Sequence, residues 1–88
     1  MVNIEERQLT ISTGANKFIK NLPDEQREKI RTAIELLIQN NTDSLDIKRL
    51  LPYPKEFRLR VGDIRVLFKS DKEMLFIFKA GYRKDVYK

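Results

Sequence analysis

The sequence predicts an α+β fold of order β-α-α-β-β-β, with an N-terminal helical hairpin packed on one face of a small, mainly antiparallel sheet. Three patterns carry that expectation. Apolar residues recur at helical spacing from Ala15 to Ile38, interrupted at Pro23. Two alternating runs flank Gly62-Asp63, and an apolar run, Met74-Leu75-Phe76-Ile77-Phe78, follows. Period-two and period-3.6 patterns mark half-buried strands and helices, and a sheet with one apolar face buries it against helices.

Residues 1–6 read as a loose start. Gln8-Leu9-Thr10-Ile11-Ser12 alternates polar and apolar residues and is β-branched, which predicts a short strand. Ser12 or Thr13 can cap a first helix in which Ala15, Phe18, Ile19 and Leu22 share a face. Pro23 ends that helix and opens the next, since its missing N–H costs nothing at a first helical position. Asp24, Glu25 and Glu28 then lie at the positive end of the helix dipole. Ile30, Ala33, Ile34, Leu37 and Ile38 form the stripe of an amphipathic helix, stopped by Asn40-Asn41.

Residues 42–54 are expected to be an irregular connector, because Pro52 and Pro54 argue against regular structure and fix the entry into the hairpin. Asp46, Lys48 and Arg49 are read there as exposed surface. Ser70-Asp71-Lys72-Glu73 is a turn. The apolar run after it suits an interior strand covered on both faces, and Gly81 is expected to break it. No internal repeat or low-complexity segment interrupts the pattern, so residues 1–88 are expected to form one domain.

Composition narrows the chemistry. A chain of 88 residues is near the size at which a single core is just sufficient. No stretch approaches the roughly 20 apolar residues of a membrane span, and the N-terminus lacks a signal-peptide pattern. Cysteine and histidine are both absent, which removes disulfides, thiolate chemistry and the usual zinc ligands. The net charge of +5 is uneven: residues 1–51 carry eight basic and eight acidic side chains, residues 52–88 ten and five. A localised positive field is the footprint of a phosphate-backbone binder.

The stretch Lys55–Lys69 concentrates that field. Alternation turns Phe57, Leu59 and Val61 to one side, with Arg58 and Arg60 on the other. Gly62 at the first central position suits a type II′ turn. That turn places Val61 opposite Ile64, Arg60 opposite Arg65 and Arg58 opposite Leu67. Like charges directly opposite on a sheet cost up to about 1 kcal/mol, so an anion is expected between Arg60 and Arg65. Phe78 is expected near Arg65, and Leu67, Phe76 and Phe78 on the basic face are expected to be core under the tail, with base-stacking platforms as the alternative.

The tail, Gly81-Tyr82-Arg83-Lys84-Asp85-Val86-Tyr87, completes a resemblance. FRLRVGDIRVLF at 57–68 followed by GYRKDVY at 81–87, after a helical hairpin, resembles the RelE-like toxins of the RelE/ParE toxin–antitoxin superfamily. The resemblance implies a type II toxin acting as a ribosome-dependent mRNA endoribonuclease. In the family, the substrate 2′-OH attacks the adjacent phosphate in the ribosomal A site. It implies Arg60, Arg65, Arg83 and Tyr87 as catalytic residues, and Arg58, Lys55, Lys69, Tyr82 and Lys84 as RNA contacts. Fixed guanidinium groups match the charge that grows on phosphorus toward the transition state. Tyr87 is suited to stack on a base or to accept a proton among cations.

The implied partners are a cognate antitoxin, laying an amphipathic helix or acidic segment over the toxin, and the ribosome with bound mRNA. No metal, cofactor or membrane is implied, and the expected location is the cytoplasm. Two departures from the family stand out. Arg58 and Arg60 occupy positions where relatives often carry lysine, and arginine holds its proton, so these two can supply only charge and orientation. Histidine-based schemes are excluded. The sequence stops one residue after Tyr87, so no helix beyond that tyrosine is expected. Two alternatives stay open: a ParE-type toxin that binds DNA gyrase, and a catalytically impaired homologue acting only in an antitoxin complex.

Overall fold

Ser12 sets the first corner of the chain. Its backbone is extended, and its hydroxyl accepts the Ala15 N–H at 3.2 Å, opening α1 (Thr13–Lys20). The same hydroxyl donates to the Phe78 carbonyl at 3.1 Å, so one side chain caps a helix and ties it to the last strand. Losing such a cap typically costs about 1 kcal/mol. Ser12→Ala is therefore expected to lower the melting temperature by about 4–8 °C without changing the far-UV circular dichroism spectrum. The structure is a computed structural model describing residues 7–87, so the loose start expected over residues 1–6 lies outside the described residues.

Pro23 is the residue just before α2 (Asp24–Ile38) rather than its first helical position, and its carbonyl accepts the Arg27 N–H at 2.9 Å. Asp24 and Glu25 occupy the first turn, favourable against the helix dipole. Ile30, Ala33, Ile34 and Leu37 are buried, the stripe expected from their spacing. Asn40 ends the helix at φ +57, the left-handed conformation that asparagine tolerates best after glycine. Its N–H reaches the Leu37 carbonyl at 3.0 Å and that of Asn41 the Leu36 carbonyl at 2.9 Å.

The strands are β1 (Gln8–Ile11), β2 (Asp46–Arg49), β3 (Glu56–Val61), β4 (Ile64–Ser70) and β5 (Met74–Tyr82), followed by a short helix α3 (Arg83–Val86). They form one five-stranded sheet in the order β1-β5-β4-β3-β2. All neighbours are antiparallel except β1 and β5, which run parallel. The two longer helices cover one face, where Leu59, Ile64, Val66, Phe68, Leu75 and Ile77 meet Ile30, Ile34 and Leu37. The hairpin register is the expected one, with Val61 opposite Ile64, Arg60 opposite Arg65 and Arg58 opposite Leu67. Gly62 takes φ +58 in its turn, a conformation glycine adopts without penalty.

Three features depart from expectation. The connector contains a strand: Asp46–Arg49 pairs with β3 along its outer edge. Only Ile47 is apolar in that segment, so alternation gives it no signal. Gly81 does not break β5, which continues through Tyr82 and sets Gly81, not Phe78, opposite Arg65. A register shift at Leu67/Phe68 leaves Phe78 outside the ladder, pairing Leu67 with Lys79 and Phe68 with Ile77. An apolar run on both sides of such a bulge carries no mark of where it falls. Phe76 and Phe78 are consequently only partly covered, whereas Leu67 is buried. Among the described residues no helix is long and apolar enough to cross a membrane.

Candidate nucleic-acid interface

The hairpin turn organises the face of the sheet that α1 and α2 leave uncovered. Arg65 folds back onto it, its Nη1 donating to the Gly62 carbonyl at 2.8 Å and the Ile64 carbonyl at 3.3 Å. The Arg83 backbone N–H donates to the Asp63 carbonyl at 2.8 Å, which fixes the start of α3 on the same turn. From there α3 runs back over β5 and β4, with Val86 buried above Gly81. A Cβ at position 81 would already stand 3.7 Å from the Val86 Cβ. The helix thus roofs the strand pair that carries Arg65, and Arg65 is only 5% exposed. The Arg83 side chain is exposed.

On the adjoining strand, Arg58 and Arg60 share the open face, and both reach the same carboxylate. Arg58 Nη2 donates to Asp46 Oδ1 at 3.1 Å, and Arg60 Nη1 lies 4.0 Å from Asp46 Oδ2. Asp46 sits directly opposite Arg60 in the β2–β3 register. Asp46 therefore offsets part of the charge of Arg60 from the β2 side, away from Arg65, whose guanidinium is hydrogen-bonded to the neutral carbonyls of Gly62 and Ile64. Sequence reading left Asp46 as plain surface because the strand that brings it to the arginines was not visible.

Lys69 lies on the same face of β4, with its ammonium 5.7 Å from the centre of the Phe78 ring, a distance at which a cation is attracted to the ring face. Four residues along a strand span about 13 Å, so Lys69 and the exposed Lys55 form the far end of a basic stripe that begins at Arg65. Lys84 is exposed on α3 at the near end. Tyr87 follows α3 and is 56% exposed. Tyr82 does not join this face. Its ring meets Phe18 edge-on at 5.3 Å on the helix-covered side, because its β5 position, opposite Ile64, shares the core orientation. Of the residues expected to contact RNA, Tyr82 is the one the fold turns away.

Among the described residues, no group of three or more His, Cys, Asp or Glu is placed to hold a metal ion. Chemically, the face offers guanidinium and ammonium donors with the carboxylates of Asp46 and Glu56 among them.

Comparison with known proteins places this arrangement. No protein-family model matches the chain. It is 28% identical over 74 residues to the toxin RelE3 of Methanocaldococcus jannaschii, covering 81% of this chain and 84% of that protein. The toxin of the RelB-RelE antitoxin-toxin complex from Methanococcus jannaschii superposes with a TM-score of 0.74 at 25% identity, over 88% of this chain and 93% of its own. The chain resembles the RelE toxins in sequence and shares their fold. The fold is shared more widely, with TM-scores of 0.76 to the archaeal RelE-RelB complex from Pyrococcus horikoshii and 0.72 to the E. coli DinJ-YafQ toxin-antitoxin complex. These cover 92% and 94% of this chain and 99% of each neighbour, at 18% and 19% identity. The shared fold thus spans nearly the full length of these structural neighbours.

Proposed function

We propose that this chain is a RelE-like toxin that cuts mRNA in the ribosomal A site and is held silent by a cognate antitoxin. The observation that carries the reading is the hairpin turn, whose carbonyls hold Arg65 and the start of α3 while Arg58 and Arg60 stand beside them on one open face. Such fixed cations serve a reaction in which negative charge accumulates on a phosphate. In the proposed step, the ribose 2′-OH loses its proton and its oxygen attacks the adjacent phosphorus. The P–O5′ bond breaks, and the departing oxygen gains a proton. The products are a 2′,3′-cyclic phosphate and a 5′-OH.

Roles follow from exposure. Arg60 and Arg83, both exposed, contact the scissile phosphate. Arg65, buried under α3, holds the turn from which Arg83 projects and adds its charge from behind. Arg58, Lys55, Lys69 and Lys84 line the RNA path. Arginine cannot take up the 2′-OH proton, and the exposed Tyr87 is assigned to stack on a base or, as its phenolate, to accept that proton. No metal has a part in this scheme. Structural neighbours that are complexes of RelE with RelB and of YafQ with DinJ support an antitoxin partner. The positive surplus of the C-terminal part suits an acidic one.

Added to a translation extract, the protein is expected to generate new mRNA 5′ ends at ribosome-occupied codons, read by 5′-end sequencing. Growth arrest with intact mRNA in that extract would replace this reading with the gyrase-binding one.

A further inference from the structure

We infer that Asp46 is a built-in stand-in for the substrate phosphate, one that RNA must displace to engage Arg58 and Arg60. The inference rests on the nuclease reading and adds a residue to it that sets how tightly RNA is held.

Three observations point there. Both carboxylate oxygens of Asp46 face guanidinium groups, Oδ1 toward Arg58 and Oδ2 toward Arg60, so the anion occupies the place between two cations that a phosphate would take. The hold is incomplete. Arg58 is gripped through Nη2 alone, and its Nε is buried with no hydrogen-bond partner. The contact with Arg60 is long, at 4.0 Å, so Asp46 fills the paired-donor fork of neither guanidinium. Finally, Asp46 lies on the edge strand β2 with its side chain 53% exposed. It can swing into solvent without disturbing the core, whereas Arg58 and Arg60 are held on β3 between two strands. A carboxylate in that position keeps the two cations aligned while RNA is absent. It also weakens the face's attraction for any anion that arrives.

The test uses a short single-stranded RNA with 2′-O-methyl riboses, which lacks the attacking hydroxyl, and measures binding by fluorescence anisotropy across a salt series. Asp46→Asn is expected to tighten binding about two- to fivefold, the range of a surface ion pair. It is also expected to steepen the dependence of log K on log salt by about 0.7, one additional phosphate contact on a single strand. Asp43→Asn, which alters an exposed residue of the connector before β2, makes the same change in net charge and is expected to move both quantities less. Asp46→Ser repeats the measurement if the asparagine variant does not fold.

Equal affinity and slope for Asp46→Asn and the parent overturn the inference, as does weaker binding, which means that Asp46 only pins β2 to β3. Equal effects of the two substitutions overturn it as well, reducing it to net charge. Salt-independent or absent binding by the parent overturns the inference too, whereas the nuclease reading itself falls only if mRNA stays intact in the translation extract.

Discussion

Arg83→Ala is expected to slow mRNA cleavage by about 10²–10³-fold, the loss typical of one preorganised donor to a developing oxyanion, while leaving the melting temperature within about 2–4 °C, as usual for surface substitutions. The reason for expecting so clean a separation is that Arg83 anchors α3 through its backbone. Its N–H, not its guanidinium, meets the Asp63 carbonyl, and alanine keeps that bond. The side chain projects from the first residue of α3 into solvent, so its removal exposes no core. Cleavage rates in a translation extract and a thermal melt of the same preparation check both halves. A fall in both would mean that the side chain is holding the fold, and unaltered cleavage would remove Arg83 from the site.

Arg65→Ala is expected to behave differently. Cleavage falls, and so does stability, by about 1–3 kcal/mol, or a drop in melting temperature of about 5–20 °C. The buried Arg65 guanidinium supplies hydrogen bonds to the carbonyls of Gly62 and Ile64. Alanine leaves those oxygens without that donor and opens space beneath α3. The turn then loses the tether that also positions Asp63, and through it Arg83. Arg65→Lys keeps the charge without the planar fork and is expected to recover only part of the stability. Circular dichroism melts of the three proteins beside their cleavage rates separate the contribution of charge from that of the tether.

From sequence alone these two arginines look alike, each a cation two or three residues after a glycine. What separates them is tertiary. The hairpin was legible because period-two alternation and a turn glycine are local signals, and with them came the register that sets Arg60 opposite Arg65. The helices were legible through Ser12 and the Ile30–Leu37 stripe. Strand β2 was not, since four mostly charged residues become a strand only by hydrogen bonding to β3. With β2 went Asp46. The continuation of β5 through Gly81 was missed because a glycine in a strand reads as an interruption, whereas here it stays in the ladder opposite Arg65. Packing of the four-residue α3 over β5 and β4 covers that end of the sheet, and the alternation of β5 turns Tyr82 to the core. Chain pattern thus revealed which residues form the basic face, and packing decided what each can reach.

The parallel pairing of β1 with β5 has a bearing on synthesis. Ser12 and Phe78, hydrogen-bonded in the finished molecule, are 66 residues apart, and closing so long a loop is an entropic toll met only once the distal strand exists. A nascent chain emerging from its own ribosome can build the helices and the β3–β4 hairpin early. Its first strand has no neighbour to pair with until β5 has been made, so the sheet closes at its β1 edge after the hairpin has formed.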